Sequence, residues 1–301
     1  MSDTQAGLRR KIDGARDLQS VVRTMKALAA SNIGQYERSL RALSDYSRTV
    51  ELGLSACFRE GDVMTARVQQ IGRTEANVVG AVVFGSDQGL VGRFNEVVSD
   101  EAMNFLAPLG GEPHVWAVGE RVHARLTSAG LPVTGLFAVP NSVRAIAPLV
   151  GQILLESEAR HGTPGVTELY LFYNCPASGA VHAPVRQRLL PLDTDWRREL
   201  TELPWPTARL PEVVGAGTAT LGALVREYLF VSLFRACAQS LASENASRLA
   251  AMERADKNIN ELLETLNGLF HRSRQSGIDE ELFDVVSGFE ALSKRRGAED
   301  G

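Results

Sequence analysis

The last quarter of the chain has the periodicity of one very long helix. Over residues 221–292, apolar or small side chains recur every three or four positions and no proline interrupts them. From residue 242 onward this seam comprises Ala242, Ala246, Leu249, Met252, Ala255, Ile259, Leu262, Leu266 and Leu269. Such spacing is typical of a helix packed lengthwise against another helix. At about 1.5 Å per residue, about 70 residues would span roughly 100 Å, so the helix needs a long partner.

The first 58 residues supply that partner. Apolar or small residues again recur at steps of mostly three or four, beginning with Leu8, Ile12, Ala15, Leu18 and Val22. The pattern predicts one helix over residues 1–58. The two ends of the chain then form a two-helix shaft, which is an antiparallel coiled coil if the middle of the chain is a compact domain at one end.

Between the two helices the pattern changes to short strands that alternate with helices. Strands are predicted at residues 77–84, 115–119, 133–139, 166–174 and 182–190, the last of them antiparallel to its neighbour. Helices are predicted at 96–106, 120–129 and 142–160. This alternation predicts a doubly wound, Rossmann-like α/β domain over residues 75–192. Residues 193–220, rich in proline, glycine and threonine, are predicted to be an irregular return segment, and residues 293–301 a charged tail.

Composition and charge narrow the classes of protein. The net charge of −4 over 301 residues argues against a general nucleic-acid binder. The three cysteines, Cys57, Cys175 and Cys237, are far apart and fit reduced thiols in a cytoplasmic protein. The most apolar stretch, residues 221–234, contains Arg226 and Glu227 and is too short to cross a bilayer. We therefore expect no direct membrane insertion, and any link to a membrane goes through another protein.

The middle domain has no recognisable catalytic or cofactor motif. The loop at residues 85–95 reads GSDQGLVGRFN, and its glycines lack the G-x-G-x-x-G spacing of a dinucleotide site. No G-x-x-x-x-G-K-[ST] phosphate loop occurs, and the five histidines show no metal-ligand spacing. We expect the loop to be a tight turn with close helix–strand approach. We predict no catalytic residue, cofactor or metal in this chain.

Three stretches resemble one known family. Residues 17–32 read D-L-Q-S-V-V-R-T-M-K-A-L-A-A-S-N, and residues 85–95 match a pattern S-D-x-G-L-C-G-x-F-N. Residues 243–258 read S-E-N-A-S-R-L-A-A-M-E-R-A-D-K-N, and residues 267–292 contain R-Q-S-G-I-D-E-E-L-F-D-V-V-S-G. In this order they resemble the gamma subunit of F-type ATP synthases. Residues 100–220 match only in general layout.

The resemblance implies a rotor of the central stalk. In that family the paired terminal helices stand inside a hexamer of alpha and beta subunits. The α/β domain forms a foot beside the epsilon subunit and the membrane c-ring. Ion flow turns the rotor, and ATP chemistry takes place on the beta subunits. The implied location is peripheral, on the cytoplasmic side of a bacterial inner membrane.

The resemblance also implies five contact residues. Met25 matches a methionine near the lever loop of a beta subunit, and Arg248 matches an arginine that meets acidic groups of beta. Arg274 and Gln275 match a pair that hydrogen-bonds a catch loop of one beta subunit. Asp279 stands beside that pair, where the family usually has threonine.

The departures from the family pattern indicate a divergent member. They include Asp279, Val91 and Arg93, and residues 210–215 lack the aromatic and acidic character often found where the foot meets the c-ring. Two other classes stay open at this stage. One is a self-associating coiled-coil scaffold, and the other is a nucleotide-binding α/β protein with a helical stalk.

Overall fold

A computed structural model describes residues 5–60, 78–109, 111–158, 166–177, 180–192, 194–209 and 217–299. The chain divides into two compact units. The helical unit comprises Met1–Ala27 and Met252–Gly301, and the sheet unit comprises Leu28–Ala251. Helix α1 (Gln5–Glu60) and the last helix, α6 (Gly217–Glu299), each contribute to both units. The predicted polar break after residue 60 and the turn at residues 161–165 lie outside the described residues.

The helical unit is an antiparallel pair formed by the start of α1 and the later part of α6. Gln19 donates a 2.6 Å hydrogen bond to Asn260, and the Lys26 ammonium lies 3.6 Å from Glu253. Residue numbers that rise along α1 therefore fall along α6, which fixes the antiparallel direction. The buried positions recur every seven residues, as in a coiled coil. This series consists of Leu8, Ala15 and Val22 on α1 and Met252, Ile259 and Leu266 on α6, and Ile12, four residues after Leu8, is buried as well.

The phase of the predicted seam was wrong at three leucines. The side chains of Leu18, Leu262 and Leu269 are 55%, 49% and 41% exposed. The positions that pack against Leu8, Ile12 and Leu266 are instead Leu263 and Phe270. A spacing of three or four residues fits either Leu262 and Leu269 or Leu263 and Phe270. The partner helix decides between them, because only one set keeps the seven-residue repeat in register.

Helix α6 continues beyond the predicted boundary. It extends through Glu299, so the predicted charged tail at 293–301 is helical over most of its length. Within residues 293–299, the lysine, arginine, alanine and glutamate residues favour helix, and they outnumber the one serine and one glycine that favour it less. Charge in this stretch was therefore no indication of a helix end.

The described residues of the sheet unit form a five-stranded mixed sheet in the order β3-β2-β1-β4-β5. Strands β1 to β4 are parallel, and β5 is antiparallel to β4. The strands are β1 (Val79–Phe84), β2 (His114–Val118), β3 (Gly135–Phe137), β4 (Glu168–Ala177) and β5 (Ala180–Leu190). Strand β3 is shorter than the predicted 133–139, because only its central three residues pair with β2.

Helices cover both faces of this sheet, which confirms the predicted doubly wound class. On one face, α2 (Phe94–Leu106) and α3 (Glu120–Ser128) pack on Ala81 and Val83 of β1. On the other face, Val82 and Phe84 pack against α4 (Val143–Ser157). Alternate residues of β1 thus enter different cores, as a strand buried on both faces requires.

The paired helices complete the second of these cores. Tyr36 of α1 and Leu233, Ala236 and Leu241 of α6 are buried together with α4 and the sheet. Their direction is again antiparallel, since Asn32 donates to Asn245 and Arg235 donates to Ser47. Within the sheet unit, the helix pair is therefore a layer of the α/β domain.

The predicted irregular return segment contains a helix, which corrects that prediction. Helix α5 spans Thr194–Glu202. Its Trp196 and Leu200, one helical turn apart, pack on Phe58 and Leu221. The Arg59 guanidinium donates to the carbonyl oxygens of Thr201 and Leu203 at the end of α5. Proline and glycine flank this stretch, and they masked its short amphipathic pattern. Residues 210–216 lie outside the described part.

The observed phase of the seam predicts unequal effects of two neighbouring leucines. Leu266→Ala empties a buried position and should lower the free energy of unfolding by about 2 to 4 kcal/mol. Leu262→Ala changes a half-exposed side chain and should cost less than about 1 kcal/mol. Denaturant unfolding of both full-length variants measures the difference. Equal losses would contradict the observed seam.

Candidate functional site

The loop at residues 85–95, here called the β1 loop, joins three strand ends through its own side chains. Asp87 accepts 3.0 Å hydrogen bonds from two backbone N–H groups, with Oδ1 bound to Glu120 and Oδ2 to Val139. These two residues follow β2 and β3. Asn95 closes the loop on itself, because its Oδ1 accepts from the Ser86 N–H and its Nδ2 donates to Ser86 Oγ. The loop is thus fastened to the carboxyl ends of β1, β2 and β3.

This arrangement occupies the place where open α/β sheets usually bind ligands. The first N–H of α3 would be a donor for an anion, but the Asp87 carboxylate already accepts from it. Gly119 has a φ of +116°, and a Cβ there would lie 2.8 Å from the backbone of Ser86. Within the loop itself, Gly92 has a φ of +59° and a Cβ on Gly85 would overlap the Val122 side chain of α3, which confirms the predicted tight turn with close helix–strand approach.

Leu90 is a feature of the β1 loop that sequence reasoning missed. It has a φ of +62°, which for a leucine costs about 1 to 3 kcal/mol, and its side chain is largely exposed. Hydrogen bonds fix the loop close to it, because Ser86 Oγ donates to the Gln88 carbonyl and accepts from Asn95 Nδ2. A strained and exposed apolar side chain on a fixed loop is a candidate contact point. No sequence signal distinguishes it, because leucine is not enriched at positive φ.

Beside the β1 loop, α6 contains an almost buried ion pair. Arg248 Nη2 lies 2.7 Å from Glu244 Oε1, one helical turn away, and the side chains are only 13% and 8% exposed. The pair lines a cavity of about 280 Å³ together with Asn32, Tyr36 and Asp87. Glu244 Oε2 and Arg248 Nε have no hydrogen-bond partner among the described residues. The pair is therefore buried without being fully satisfied.

Burial controls the titration of this cluster. Burial raises the pKa of Glu244, the Arg248 charge opposes that shift, and Asp87 adds to it. Burial also raises the pKa of Tyr36 to about 12, with a further contribution from Glu244. Burial thus disfavours the charged form of the Glu244 carboxyl at this position.

The structure gives Arg248 a partner within its own chain. The sequence predicted that this arginine meets acidic groups of another subunit, and that contact stays a prediction. The residue that sequence reasoning missed is Glu244. Its signal was the i, i+4 spacing of glutamate and arginine, which places the two side chains on the same side of a helix.

The other predicted contact residues lie in the helical unit. Met25 is half-buried on α1. Arg274, Gln275 and Asp279 are exposed on α6, and no side-chain partner holds them among the described residues. All three are free to meet another molecule.

An exposed apolar stripe follows these residues along α6. Ile278, Leu282, Val285 and Val286 are spaced at i, i+4, i+7 and i+8, so they share one side of the helix, and Phe283 lies next to them. All five are between 49% and 72% exposed. Gln5, the first described residue of α1, lies near Gly277, so the stripe lies past the described part of the partner helix. Sequence reasoning treated these residues as part of the coiled-coil helix and missed their exposure.

Two other kinds of feature are absent from the described residues. None of the helices described is both long enough and apolar enough to cross a membrane. Within the same part of the chain, no three histidine, cysteine or acidic side chains are grouped to hold a metal ion.

The raised pKa of Glu244 predicts a pH-dependent stability. A carboxyl whose folded pKa is above its unfolded value stabilises the fold below the unfolded pKa and loses that contribution as pH rises through the folded pKa. Glu244→Gln mimics the neutral form. The free energy of unfolding should therefore fall less for this variant than for the parent between pH 4.5 and neutrality.

Denaturant unfolding across this pH range measures the effect. Glu264→Gln, which changes an exposed glutamate of α6, is the matched control and should follow the parent. A Glu244→Gln profile parallel to that of the parent would contradict the assignment.

With this geometry in place, comparison with known proteins identifies the family. The family model described as ATP synthase matches residues 4–292. An ATP synthase gamma chain from Nitrosomonas eutropha is 26% identical over 298 residues, covering 95% of this chain and 98% of that one. An ATP synthase gamma chain from Clavibacter michiganensis is 29% identical over 299 residues, covering 95% and 97%.

Solved structures agree in fold. The rotor of the Euglena gracilis mitochondrial ATP synthase matches with a TM-score of 0.59 at 17% identity, covering 91% of this chain and 98% of that chain. The Tetrahymena thermophila mitochondrial ATP synthase structure of the central stalk and c-ring matches with a TM-score of 0.54 at 20% identity, covering 78% and 99%. Because the family model spans nearly the whole chain and the curated relatives are gamma chains along their full length, this chain belongs to the ATP synthase family as a gamma subunit of the F-type complex.

Proposed function

We propose that this gamma subunit turns inside a hexamer of alpha and beta subunits and transmits ion-driven rotation to the catalytic sites on beta. Its sheet unit would stand with the epsilon subunit on the membrane c-ring. Its place would be peripheral, on the cytoplasmic side of a bacterial inner membrane. Family membership supports this role, and the curated relatives named above are bacterial.

The exposed apolar stripe of α6 is the observation that carries the proposal. Leu282 and Phe283 are 62% and 72% exposed, and Val285 is 69% exposed. Contiguous apolar side chains in water are unfavourable, so such a surface indicates a site of contact with another protein. A ring of subunits around this end of α6 would cover the stripe in every rotational position of the helix. The contact would then persist while the helix turns, as a rotor requires.

The polar residues next to the stripe would supply orientation-dependent contacts. Arg274 and Gln275 lie one turn before Ile278 and are exposed. The guanidinium presents a planar set of donors suited to carboxylates and carbonyls, and the carboxamide both donates and accepts. Asp279, one turn after Gln275, would repel an acidic partner and attract a basic one. We infer that these three residues contact one beta subunit at a time.

Two further predicted contact residues fit the proposal in different ways. Met25 is half-buried on α1, and its flexible thioether suits a contact that changes during rotation. Arg248 would meet an acidic group of beta only through the part of its side chain that Glu244 does not occupy.

The charges of the helical unit are distributed unevenly between its two helices. Basic residues on α1 are exposed at Arg9, Arg10, Arg16 and Arg23. The part of α6 that bears the stripe is acidic, with exposed Asp279, Glu280, Glu281 and Asp284. The basic and the acidic residues therefore lie at different levels along the helical unit, because the acidic part of α6 extends past the described part of α1. Within the paired part, basic residues concentrated on one helix would give the rotor unlike faces for three chemically identical beta subunits.

Substitution of the apolar stripe tests the contact with the hexamer. Leu282→Ser combined with Val285→Ser should leave the free energy of unfolding of the chain within about 0.5 kcal/mol, because both side chains are exposed. The same variant should reduce co-elution with co-expressed alpha and beta subunits. Size exclusion followed by an ATPase assay measures this. Unchanged assembly and activity would contradict the assignment of the stripe as a contact surface.

Substitution of the polar pair tests coupling. Arg274→Ala with Gln275→Ala should preserve assembly but reduce ATP-driven ion transport in membrane vesicles. Arg272→Ala is the matched control, because Arg272 is exposed on the same helix and its Nε donates only to the Gly268 carbonyl. A loss of equal size in the control would assign the effect to general charge.

A further inference from the structure

A second cavity in the sheet unit lies between three elements. Its volume is about 410 Å³, and it is lined by one side of α1, by Arg235 of α6 and by Leu203 and Pro204 after α5. The α1 residues include Ser47, Arg48 and Glu51. None of these residues belongs to the contact residues discussed above, so the cavity needs a separate explanation.

Arg235 brings a half-buried positive charge to this cavity. Its Nη2 donates a 2.6 Å hydrogen bond to Ser47 Oγ, whose hydroxyl donates to Glu51 Oε1 over 3.1 Å. Arg235 forms no ion pair with any residue of the described part. Burial raises the pKa of Tyr173 and of Tyr228, and the nearby Arg235 charge opposes both shifts. The bond to Ser47 is the one hydrogen bond of Arg235 within the described part of the chain, so its other N–H groups have no protein acceptor there and can meet a ligand that enters the cavity.

Arg48 adds a second guanidinium to the same lining. It is exposed on α1 next to Ser47, and it too forms no ion pair in the described part of the chain. With Glu51 as the acidic residue of the lining, the cavity has a net charge of about +1 when all three groups are ionised.

The remaining walls favour tight electrostatic binding. Leu52, Leu203 and Pro204 contribute apolar surface, which reduces the local screening of charge. The position of Leu203 is fixed, because the Arg59 guanidinium donates to its carbonyl oxygen and to that of Thr201. The Ser47 hydroxyl hydrogen is already used, so the free donors of the cavity belong to the two arginines.

We propose that this cavity binds a singly charged phosphate group, held between the guanidinium groups of Arg48 and Arg235. Two planar donor sets match the tetrahedral oxygens of phosphate, and charge-assisted hydrogen bonds of this type are among the strongest in proteins. Glu51 sets the preference for a single negative charge, since it would repel a more highly charged anion. The group belongs either to free inorganic phosphate or to the headgroup of an anionic phospholipid.

Titration of the full-length chain with inorganic phosphate tests the site by calorimetry, at constant ionic strength maintained with chloride and at a pH below the second pKa of phosphate, where the singly charged form predominates. We expect saturable binding that Arg48→Gln with Arg235→Gln weakens by at least about tenfold. Arg38→Gln, which changes an exposed arginine elsewhere on α1, should bind like the parent. Absence of saturable binding, or equal weakening in the Arg38 control, would overturn the proposal.

A variant that should increase phosphate affinity complements the arginine variants. Glu51→Gln removes the repulsive charge and should tighten phosphate binding, whereas weaker binding would count against the site. The thermal unfolding midpoint checks that Arg235→Gln folds. If it does not, the exposed Arg48→Gln variant alone decides, and phosphate affinity equal to that of the parent then refutes the proposal.

Vesicles separate the two sources of the phosphate group. Vesicles of phosphatidylcholine with phosphatidylglycerol are compared with vesicles of phosphatidylcholine alone. Binding to the anionic vesicles that inorganic phosphate displaces, and that the double variant lacks, supports a lipid headgroup. Calorimetric binding of phosphate without vesicle binding supports free phosphate. Failure of both probes overturns the site.

Discussion

The antiparallel packing of α1 on α6 is the interaction on which the rest of the structure depends. In the helical unit it is the whole architecture, because the buried positions Leu8, Ala15 and Val22 have only the facing helix to cover them. In the sheet unit the same two helices are a layer over the sheet, where Tyr36 and Leu233 share a core with α4. The same helix pair therefore packs in two ways. The coiled-coil packing accounts for the buried residues of the helical unit, and the packing on the sheet accounts for those of the sheet unit.

The sheet unit shows how a ligand-binding fold becomes a structural support. Asp87, from the β1 loop, accepts hydrogen bonds at the ends of two further strands, and its carboxylate lies where an anionic ligand would otherwise bind. Two energetically unfavourable features lie near this loop. Leu90 is held at positive φ, and Glu244 is buried with one oxygen unpaired. Such features persist only where the surrounding structure over-determines them.

Periodicity in the sequence was enough to predict the long helices, the doubly wound α/β class and the antiparallel fifth strand, because each depends on a local pattern. Features that depend on contacts between distant parts of the chain could not be predicted in this way. Leu262 and Leu263 both satisfy a three-or-four spacing, and only the facing helix decides which is buried. Helix α5 depends on Trp196 and Leu200 meeting Phe58, which lies far away in sequence. The Glu244–Arg248 pair was visible as a spacing, but its burial results from tertiary packing.

The seven-residue repeat of the helical unit has a mechanical consequence. A strict heptad differs from the natural turn of an α-helix, so a pair that keeps the seam closed winds in a left-handed supercoil. Twist applied in the same hand tightens the seam at Ile259 and Leu266, and twist in the opposite hand opens it. Such a helix pair therefore has a torsional stiffness that differs between the two directions of twist. Whatever torque it bears, its elastic response depends on the direction of turning.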